Sequence, residues 1–336
     1  MAVLLRKVLI EHSIAFDHEA NLITPRGVAH GGRLVALLRH VLSGPERQAI
    51  SILTDNGRDF PVARSLDEWW RVFETGWFER ALREELFETW FQPIVDTDSN
   101  RILAHECLIR LNNGRLYNGA EIIEAALVRN EIHALDSHAR RMAIRSSALQ
   151  SRHGMYFVNF MPSSIYNPEF CMKTTLEALR ESGLPPRNLV FEVVESDMVR
   201  DPAHLRRICD YYRRHGFGFA LDDVGTGSNS LQMVCDLKPD YIKLDKSLIQ
   251  NVEQPMYAVA IRKLVELADQ FGVRVIAEGV EQAETMENLW LLGVRYMQGY
   301  FFGRPAPGVA APRTDLLNIS RALDGSLRQP IPAVAN

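Results

Sequence analysis

From about residue 86, the sequence alternates short β-rich runs with longer segments of helical period, and most of the helical segments end at glycine. Regular alternation of this kind predicts a parallel sheet covered by helices. Eight candidate strands within about 225 residues favour a (β/α)8 barrel of the α/β class over an open sheet. The candidate strands are residues 89–95, 102–111, 155–160, 189–195, 217–223, 240–245, 273–279 and 294–300.

The sequence predicts three segments: an N-terminal segment of unknown role at 1–85, the barrel at 86–312, and a loose C-terminal tail at 313–336. Within the first, residues 49–63 predict a hairpin around Asp55-Asn56-Gly57. Residues 65–82 predict one tryptophan-rich amphipathic helix with Ser65 as N-cap, its aromatic stripe serving as core or interface. Residues 27–33, GVAHGGR, lack the Gly-Lys-Ser/Thr ending of a phosphate-binding loop and predict an ordinary loop.

Composition excludes several classes of protein. Lysine plus arginine total 38 and aspartate plus glutamate 42, a net charge of -4, which argues against binding to polymeric nucleic acid. The four cysteines are scattered without a CxxC pair, so neither a disulfide scaffold nor a structural zinc site is indicated. No apolar run approaches the roughly 20 residues that a bilayer requires. We therefore expect a cytoplasmic protein with no membrane segment.

Polar side chains stand at or near the carboxyl ends of the candidate strands, the rim where barrel enzymes place their active sites. One such glutamate alone would be an ordinary ion-pair partner, but several carboxylates together require cations. The residues are Glu106, Asn159, Glu192, Asp222, Asp223, Lys243, Asp245, Glu278 and Gln298.

The candidate ligand atoms are all oxygens, which favours Mg²⁺ or Mn²⁺ over zinc or iron. Five carboxylates exceed the needs of one such ion. Two ions about 3.5–4 Å apart that share an aspartate would use them all, an arrangement suited to phosphodiester hydrolysis. Lys243 would then orient the attacking water or neutralise developing charge.

Eight motifs in order resemble the EAL family of cyclic di-GMP phosphodiesterases, over roughly residues 86–310. The motifs are FQPIVD, HECLIR, FVNF, FEVVES, ALDDVGTG, DYIKLDKS, VIAEGVE and MQGYFFGRP. The resemblance implies a barrel whose first strand runs antiparallel to its neighbour. It also implies conversion of cyclic di-GMP to linear pGpG by in-line attack of a metal-bound hydroxide.

The resemblance also implies a role for each matching residue. One Mg²⁺ or Mn²⁺ ion is held by Glu106, Asn159, Glu192 and Asp222, and a second by Asp222, Asp223 and Glu278. The catalytic group comprises Lys243, which contacts the catalytic water, with Glu278, Glu106 and the supporting Asp245. Substrate is bound by Gln92, Leu108, Arg110, which reaches a phosphate oxygen, Glu281 and Gln298. Glu195 steadies the loop that begins at Asp223.

Three departures from the family pattern leave the metal-ligand positions unaltered. Cys107 replaces an alanine and is expected to be tolerated as a small hydrophobe. Val224 and the stretch Ser228-Asn229-Ser230 replace the usual phenylalanine and Tyr-Ser-Ser, which puts loop packing and dimer coupling in question. LNNGRLYNG after Arg110 shortens a loop over the substrate.

Two other functions stay open. A catalytically quiet cyclic di-GMP receptor is one, although degenerate members usually lose metal ligands. A glycosidase that uses two carboxylates is the other, but it leaves Asn159, Lys243 and the adjacent aspartates unexplained. The resemblance further implies a homodimer formed near the helix after the DDVGTG loop. The N-terminal segment holds no GGDEF-like motif, so no cyclase activity is expected.

Overall fold

A computed structural model describes residues 5, 9–10, 16–19, 22–25, 28–54, 62–151, 154–194, 202–225 and 230–309. The chain divides into two compact units. The first, here the N-terminal unit, comprises residues 1–86 and 120–132, and the second, the barrel unit, comprises residues 87–119 and 133–336.

The structure describes two antiparallel strand pairs and five helices with defined bounds in the N-terminal unit. β1 (Phe16–Glu19) pairs with β2 (Leu22–Pro25), and β3 (Ser51–Thr54) pairs with β4 (Val62–Ser65). The helices are α1 (Val28–Val41), α2 (Gly44–Gln48), α3 (Leu66–Glu74), α4 (Trp77–Arg83) and α5 (Gly119–Arg129), the last belonging to this unit from Ala120 onward. The β3–β4 pair is the predicted hairpin, although its turn at Asp55-Asn56-Gly57 lies outside the described residues.

The predicted helix at 65–82 is in fact two helices, α3 and α4. The Thr75 hydroxyl donates to the carbonyls of Arg71 (2.8 Å) and Val72 (3.2 Å), and Gly76, a poor helix former, follows. The aromatic stripe is thereby split between the two helices, and it is not uniformly buried: Leu66 on α3 and Phe78 on α4 are fully buried, whereas Phe73 on α3 is 56% exposed. The N-cap prediction is confirmed, since the Ser65 hydroxyl accepts from the Glu68 amide.

The prediction of a loop at 27–33 is wrong, because α1 runs through this stretch from Val28. Glycines at 31 and 32 lower helix propensity. The helix forms nevertheless, since it buries Val35, Leu38 and Leu42 with a helical period in a small core that also holds Ile50 and Leu66. Tertiary burial thus outweighs local propensity here.

Nine strands and eight helices make up the described part of the barrel unit. The strands are β5 (Phe87–Asp96), β6 (Arg101–Asn112), β7 (Leu116–Tyr117), β8 (Tyr156–Asn159), β9 (Leu189–Val194), β10 (Gly218–Val224), β11 (Tyr241–Leu244), β12 (Arg274–Ala277) and β13 (Tyr296–Gln298). The helices are α6 (Ile132–Gln150), α7 (Pro168–Cys171), α8 (Lys173–Ser182), α9 (Pro202–Arg214), α10 (Ser230–Leu237), α11 (Lys246–Ile249), α12 (Pro255–Gln270) and α13 (Ala283–Leu291).

Eight of these strands form a closed barrel in the order β5, β13, β12, β11, β10, β9, β8, β6, and β5 pairs with β6 to complete the ring. β5 is antiparallel to both β6 and β13, while the other neighbouring strands of the barrel are parallel. The predicted α/β fold class and (β/α)8 architecture are confirmed, as is the antiparallel first strand. β7 adds a short hairpin to the end of β6.

Two apolar layers stabilise the barrel. A large core lies between the strands and the surrounding helices. A smaller interior layer fills the barrel and consists of Ile94, Ala104, Phe157, Val190, Ala220, Tyr241 and Ile276, with Tyr296 packed against it. Among the described residues, no helix combines the length and apolar character needed to cross a bilayer.

Candidate metal and phosphodiester site

A ring of polar side chains lies one step above the interior apolar layer. Side chains along a strand alternate between its two faces, so the residue two positions further on faces the same interior. That residue is polar on every barrel strand, counted backwards on β5 because β5 runs in the opposite direction. We call this set the polar ring: Gln92, Glu106, Asn159, Glu192, Asp222, Lys243, Glu278 and Gln298.

Lys243, on β11, stands within the polar ring and is completely buried. Its Nζ lies within ion-pair distance of four carboxylates. The distances are 2.5 Å to Glu278 Oε1, 3.2 Å to Glu192 Oε1, 3.4 Å to Glu106 Oε2 and 3.5 Å to Asp222 Oδ1. Lys243 is therefore an interior lysine whose charge is neutralised by the carboxylates around it.

Glu106 is held by two side-chain amides. Asn159 Nδ2 donates to Glu106 Oε1 over 3.0 Å, and Gln298 Nε2 donates to Glu106 Oε2 over 2.6 Å. Gln298 Nε2 also lies 3.3 Å from Gln92 Oε1. Burial raises the pKa of Glu106, but Lys243 and the two amides outweigh it and hold that pKa below its ordinary value. Glu106 is therefore an ionised and oriented carboxylate.

The negative charges of the other carboxylates in the polar ring are less well compensated than that of Glu106. Burial raises the pKa of Glu192 well above its ordinary value, raises that of Asp222, and raises that of Glu278 to about 8. Burial lowers the pKa of Lys243, yet Asp222 and the three glutamates outweigh it and raise that pKa well above the ordinary value. Four carboxylates share one ammonium, so the site favours additional positive charge.

The donor set fits divalent cations that prefer oxygen. Asp222, Asp223 and Glu278 each offer a carboxylate oxygen, and these oxygens lie within 4.8 Å of one another. Neither oxygen of the fully buried Glu192 accepts a hydrogen bond from any described residue. A buried carboxylate compensated only by the Lys243 ammonium, 3.2 Å away, is expected where a hard metal ion binds.

A local irregularity in β10 brings consecutive aspartates to one site. Successive strand residues normally point to opposite faces, so Asp222 and Asp223 should diverge. The register of β10 against β11 shifts between Leu221 and Val224, and Asp223 has a left-handed φ of 56°. Asp223 therefore turns towards Asp222 and Glu278, and its amide donates to Asp222 Oδ1 over 3.0 Å.

The residues assigned to support or substrate binding lie around the polar ring. Asp245 caps α11, accepting a hydrogen bond from the Ser247 amide over 2.8 Å. Glu281 forms an ion pair with Lys246 (2.5 Å), and both side chains are about half exposed. Leu108 and Arg110 are partly buried on β6 beyond Glu106. Arg110 Nη1 donates to the neighbouring Ile109 carbonyl over 2.8 Å.

The departures from the family pattern lie away from the carboxylates or outside the described residues. Cys107 faces outward, where its Sγ is 3.4 Å from Ser147 Oγ and burial raises its pKa to about 12. Val224 is buried in the outer core. Glu195 and residues 228–229 lie outside the described residues, as does the side chain of Ser230. LNNGRLYNG forms the tight β6–β7 hairpin.

Gly299 is a site residue that the sequence analysis did not single out. It directly follows Gln298, and a Cβ at this position would lie 2.0 Å from the Val280 carbonyl oxygen. The Val280 amide in turn donates to the Gln298 carbonyl over 3.0 Å. Only glycine permits this backbone approach. In the sequence, the MQGY motif is the signal from which this glycine could have been identified.

The amino-acid sequence matches a known domain family and individual relatives. The EAL domain family matches residues 76–305. Cyclic di-GMP phosphodiesterase RocR of Pseudomonas aeruginosa is 30% identical over 234 residues, covering 68% of this chain and 59% of RocR. Cyclic di-GMP phosphodiesterase PdeB of Shewanella oneidensis is 26% identical over 266 residues, covering 77% of this chain and 30% of PdeB. The chain thus spans less than two thirds of these relatives.

A solved structure agrees with the sequence comparison. The standalone versatile EAL protein of Vibrio cholerae O395, in its c-di-GMP bound form, superposes with a TM-score of 0.64 at 30% identity. The match covers 69% of this chain and 97% of that protein. Family match, barrel topology and polar ring agree, and this chain belongs to the EAL domain family.

Proposed function

We propose that this protein is a metal-dependent phosphodiesterase that hydrolyses cyclic di-GMP to linear pGpG. The observation that carries the proposal is the complete carboxylate set around the buried Lys243 within an EAL domain. Relatives named as cyclic di-GMP phosphodiesterases support the same substrate.

The proposed cofactor is a pair of divalent ions, Mg²⁺ or Mn²⁺. Glu106, Asn159, Glu192 and Asp222 would hold one ion, and Asp222, Asp223 and Glu278 the other. When bound, such ions activate water and stabilise the charge that develops on a phosphodiester. The close grouping of Asp222, Asp223 and Glu278 supports the second set.

Lys243 would orient the attacking water and balance negative charge. Its ammonium donates protons in up to three directions and is fixed by the four carboxylates. A preorganised cation of this kind stabilises charge without reorganising during the reaction.

Arg110 would bind a phosphate oxygen of the substrate, with Gln92, Leu108, Glu281 and Gln298 as further contacts. The amide of Gln92 is fixed, since its Nε2 donates to the Gly303 carbonyl over 3.3 Å. Fixed amides at the edge of the carboxylates would hold the scissile phosphodiester in line for attack.

Single-turnover hydrolysis of cyclic di-GMP tests this function, with products separated by chromatography in Mg²⁺, Mn²⁺ or EDTA. We expect pGpG with either metal and none in EDTA. Tight binding of cyclic di-GMP without product in both metals would instead support the receptor function. Hydrolysis that persists in EDTA would contradict the metal mechanism.

We also propose that the protein forms a homodimer near α10, the helix that follows the DDVGTG motif. Membership of the EAL family supports this proposal. Light scattering coupled to size exclusion tests it, and a mass of one chain at micromolar concentration would contradict it.

A further inference from the structure

The segment that follows Asn159 is held by hydrogen bonds to side chains on helices outside the ring of strands. Residues 160–165 leave β8 and turn before α7, so beyond the Phe160 amide their backbone groups need partners other than the barrel strands. His133 Nδ1 lies 2.8 Å from the Ser164 carbonyl, and His204 Nε2 lies 2.5 Å from the Ile165 carbonyl. This turn is therefore held from both α6 and α9.

The most buried of these hydrogen bonds are made by Asp136 on α6. Its Oδ1 accepts from the Met161 amide over 2.9 Å, and its Oδ2 accepts from the Ser164 hydroxyl over 2.5 Å. Arg140, one helical turn later, places Nη1 2.7 Å from the same Oδ2. The two side chains are 3% and 2% exposed. A buried ion pair thus fixes the turn two residues beyond Asn159.

The turn that the pair holds also reaches the strand that carries Glu192. The Phe160 ring packs edge-on against Tyr212, a fully buried residue of α9, with centroids 5.1 Å apart and an interplanar angle of 78°. The Tyr212 ring stacks on Phe191 with centroids 4.5 Å apart and an interplanar angle of 25°. Phe191 immediately precedes Glu192, so the turn packs against the support of Glu192 as well as following Asn159.

Asn159 and Glu192 are also joined directly. They are register partners across β8 and β9, and the Phe160 amide donates to the Glu192 carbonyl over 3.0 Å. Any displacement of residues 160–161 therefore moves both proposed ligands together.

Stability alone does not explain a buried ion pair at this place. Replacing such a pair with apolar side chains of similar volume is often neutral or stabilising, because desolvation offsets the attraction between the charges. What apolar residues cannot do is hold the Met161 amide and the Ser164 hydroxyl at fixed positions. Groups behind metal ligands typically change metal affinity when they are removed.

We propose that Asp136 and Arg140 are positioning residues for the metal ligands Asn159 and Glu192, acting through the 160–165 turn and the Tyr212–Phe191 stack. The inference rests on the proposed function only in requiring that Asn159 and Glu192 bind the metal. It assigns no chemical step to the pair.

The test is equilibrium dialysis of the full chain with Mn²⁺ alone, combined with thermal unfolding of the metal-free protein. The double substitution Asp136→Leu with Arg140→Met removes both charges while retaining apolar packing. We expect a folded protein whose melting temperature falls modestly, because the Met161 amide loses its acceptor, and Mn²⁺ binding weakened by about tenfold or more. Arg145→Met is the matched control, since Arg145 lies on the same helix in an exposed ion pair with Glu181.

A folded double variant that binds Mn²⁺ as tightly as the unaltered protein would overturn the proposal. Should the double variant fail to fold, Ser164→Ala retains the ion pair and removes one hydrogen bond to Asp136, and unchanged Mn²⁺ binding there would overturn it equally. Failure of the unaltered protein to bind Mn²⁺ would count against the proposed metal site itself. Failure to produce pGpG despite normal Mn²⁺ binding would count against the proposed reaction and leave this inference standing.

Discussion

At the scale of single residues, Glu106 combines a lowered pKa with a fixed orientation. Two amides and one ammonium contact it inside the barrel. We expect Glu106→Gln to retain the fold, because the residue lies at the edge of the interior layer and its shape is kept. Turnover should fall about 100-fold, because the charge of a proposed metal ligand disappears. Steady-state hydrolysis of cyclic di-GMP measures the change, with the exposed Glu253→Gln as control. An unaltered rate would show that Glu106 is not a ligand.

A second prediction concerns Lys243, because its ammonium compensates the negative charge of the four carboxylates. Lys243→Met leaves them without a partner, so the metal-free protein should lose about 3–5 kcal/mol of unfolding free energy. Mn²⁺ should restore much of that loss. The rate of hydrolysis should fall more than substrate affinity does. Urea denaturation with and without Mn²⁺, together with kcat and KM, measures these effects. Lys263→Met is the control, since Lys263 is 69% exposed in an ion pair with Glu266. Equal losses of kcat and affinity in the Lys243 variant would indicate a structural role.

At the scale of single elements, α3 depends on its first turn. The Ser65 hydroxyl accepts from the Glu68 amide (3.3 Å), and the Glu68 carboxylate accepts from the Ser65 amide (2.7 Å) and hydroxyl (2.9 Å). Ser65→Ala should therefore cost about 1 kcal/mol of stability, while Ser65→Asp should cost little. Urea denaturation at neutral pH measures both variants. Equal stability of the alanine and aspartate variants would contradict the capping role.

The same cap predicts a pH dependence. Hydrogen bonds from Ser65 hold the pKa of Glu68 below its ordinary value. A carboxyl whose pKa is lower when folded stabilises the protein above its unfolded pKa, about 4.3. That contribution is lost as pH falls through the lower folded pKa. Unfolding followed between pH 5 and 3 should show a shallower pH dependence for Glu68→Gln than for the unaltered protein.

At the scale of the whole molecule, the N-terminal unit is assembled from residues far apart in the sequence. Arg129, at the end of α5, donates from Nε to the Thr75 carbonyl (2.8 Å) and from Nη2 to the Val72 carbonyl (2.7 Å), and it also pairs with Glu79. These carbonyls lie at the end of α3, where helix carbonyls lack internal partners. The unit therefore requires the helix at 120–129 as well as the chain before residue 86.

This arrangement predicts that Arg129→Met destabilises α3 from a distance. Two partly buried carbonyls would each lose one donor while keeping another, at a cost of about 1 kcal/mol. Hydrogen exchange of the α3 amides measures the loss. Arg83→Met, whose side chain is 72% exposed beside Glu84, provides the control. Unchanged exchange in the Arg129 variant would mean that α5 is not needed to stabilise α3.

The barrel strands and most of the polar ring could be predicted from the sequence, because both leave patterns among neighbouring residues. Alternation of strand and helix sets the fold class, and an apolar residue followed two positions later by a polar one recurs on strand after strand. Ordered motifs added the antiparallel first strand and assigned roles to Gln92 and Arg110. The predicted domain limits at 85 and 312, and the role of Glu195, stay predictions.

By itself, then, the sequence determined the eight strands, the α/β class and the identity of the candidate ligands, since each depends on neighbours along the chain. Tertiary structure decided which groups meet. It placed Lys243 among four carboxylates, turned Asp223 inward through a shift in strand register, and extended α1 through two glycines. It also joined the Asp136–Arg140 pair to the segment beyond Asn159. These outcomes depend on contacts between residues far apart in the sequence, such as Lys243 and Glu106, which no local pattern specifies.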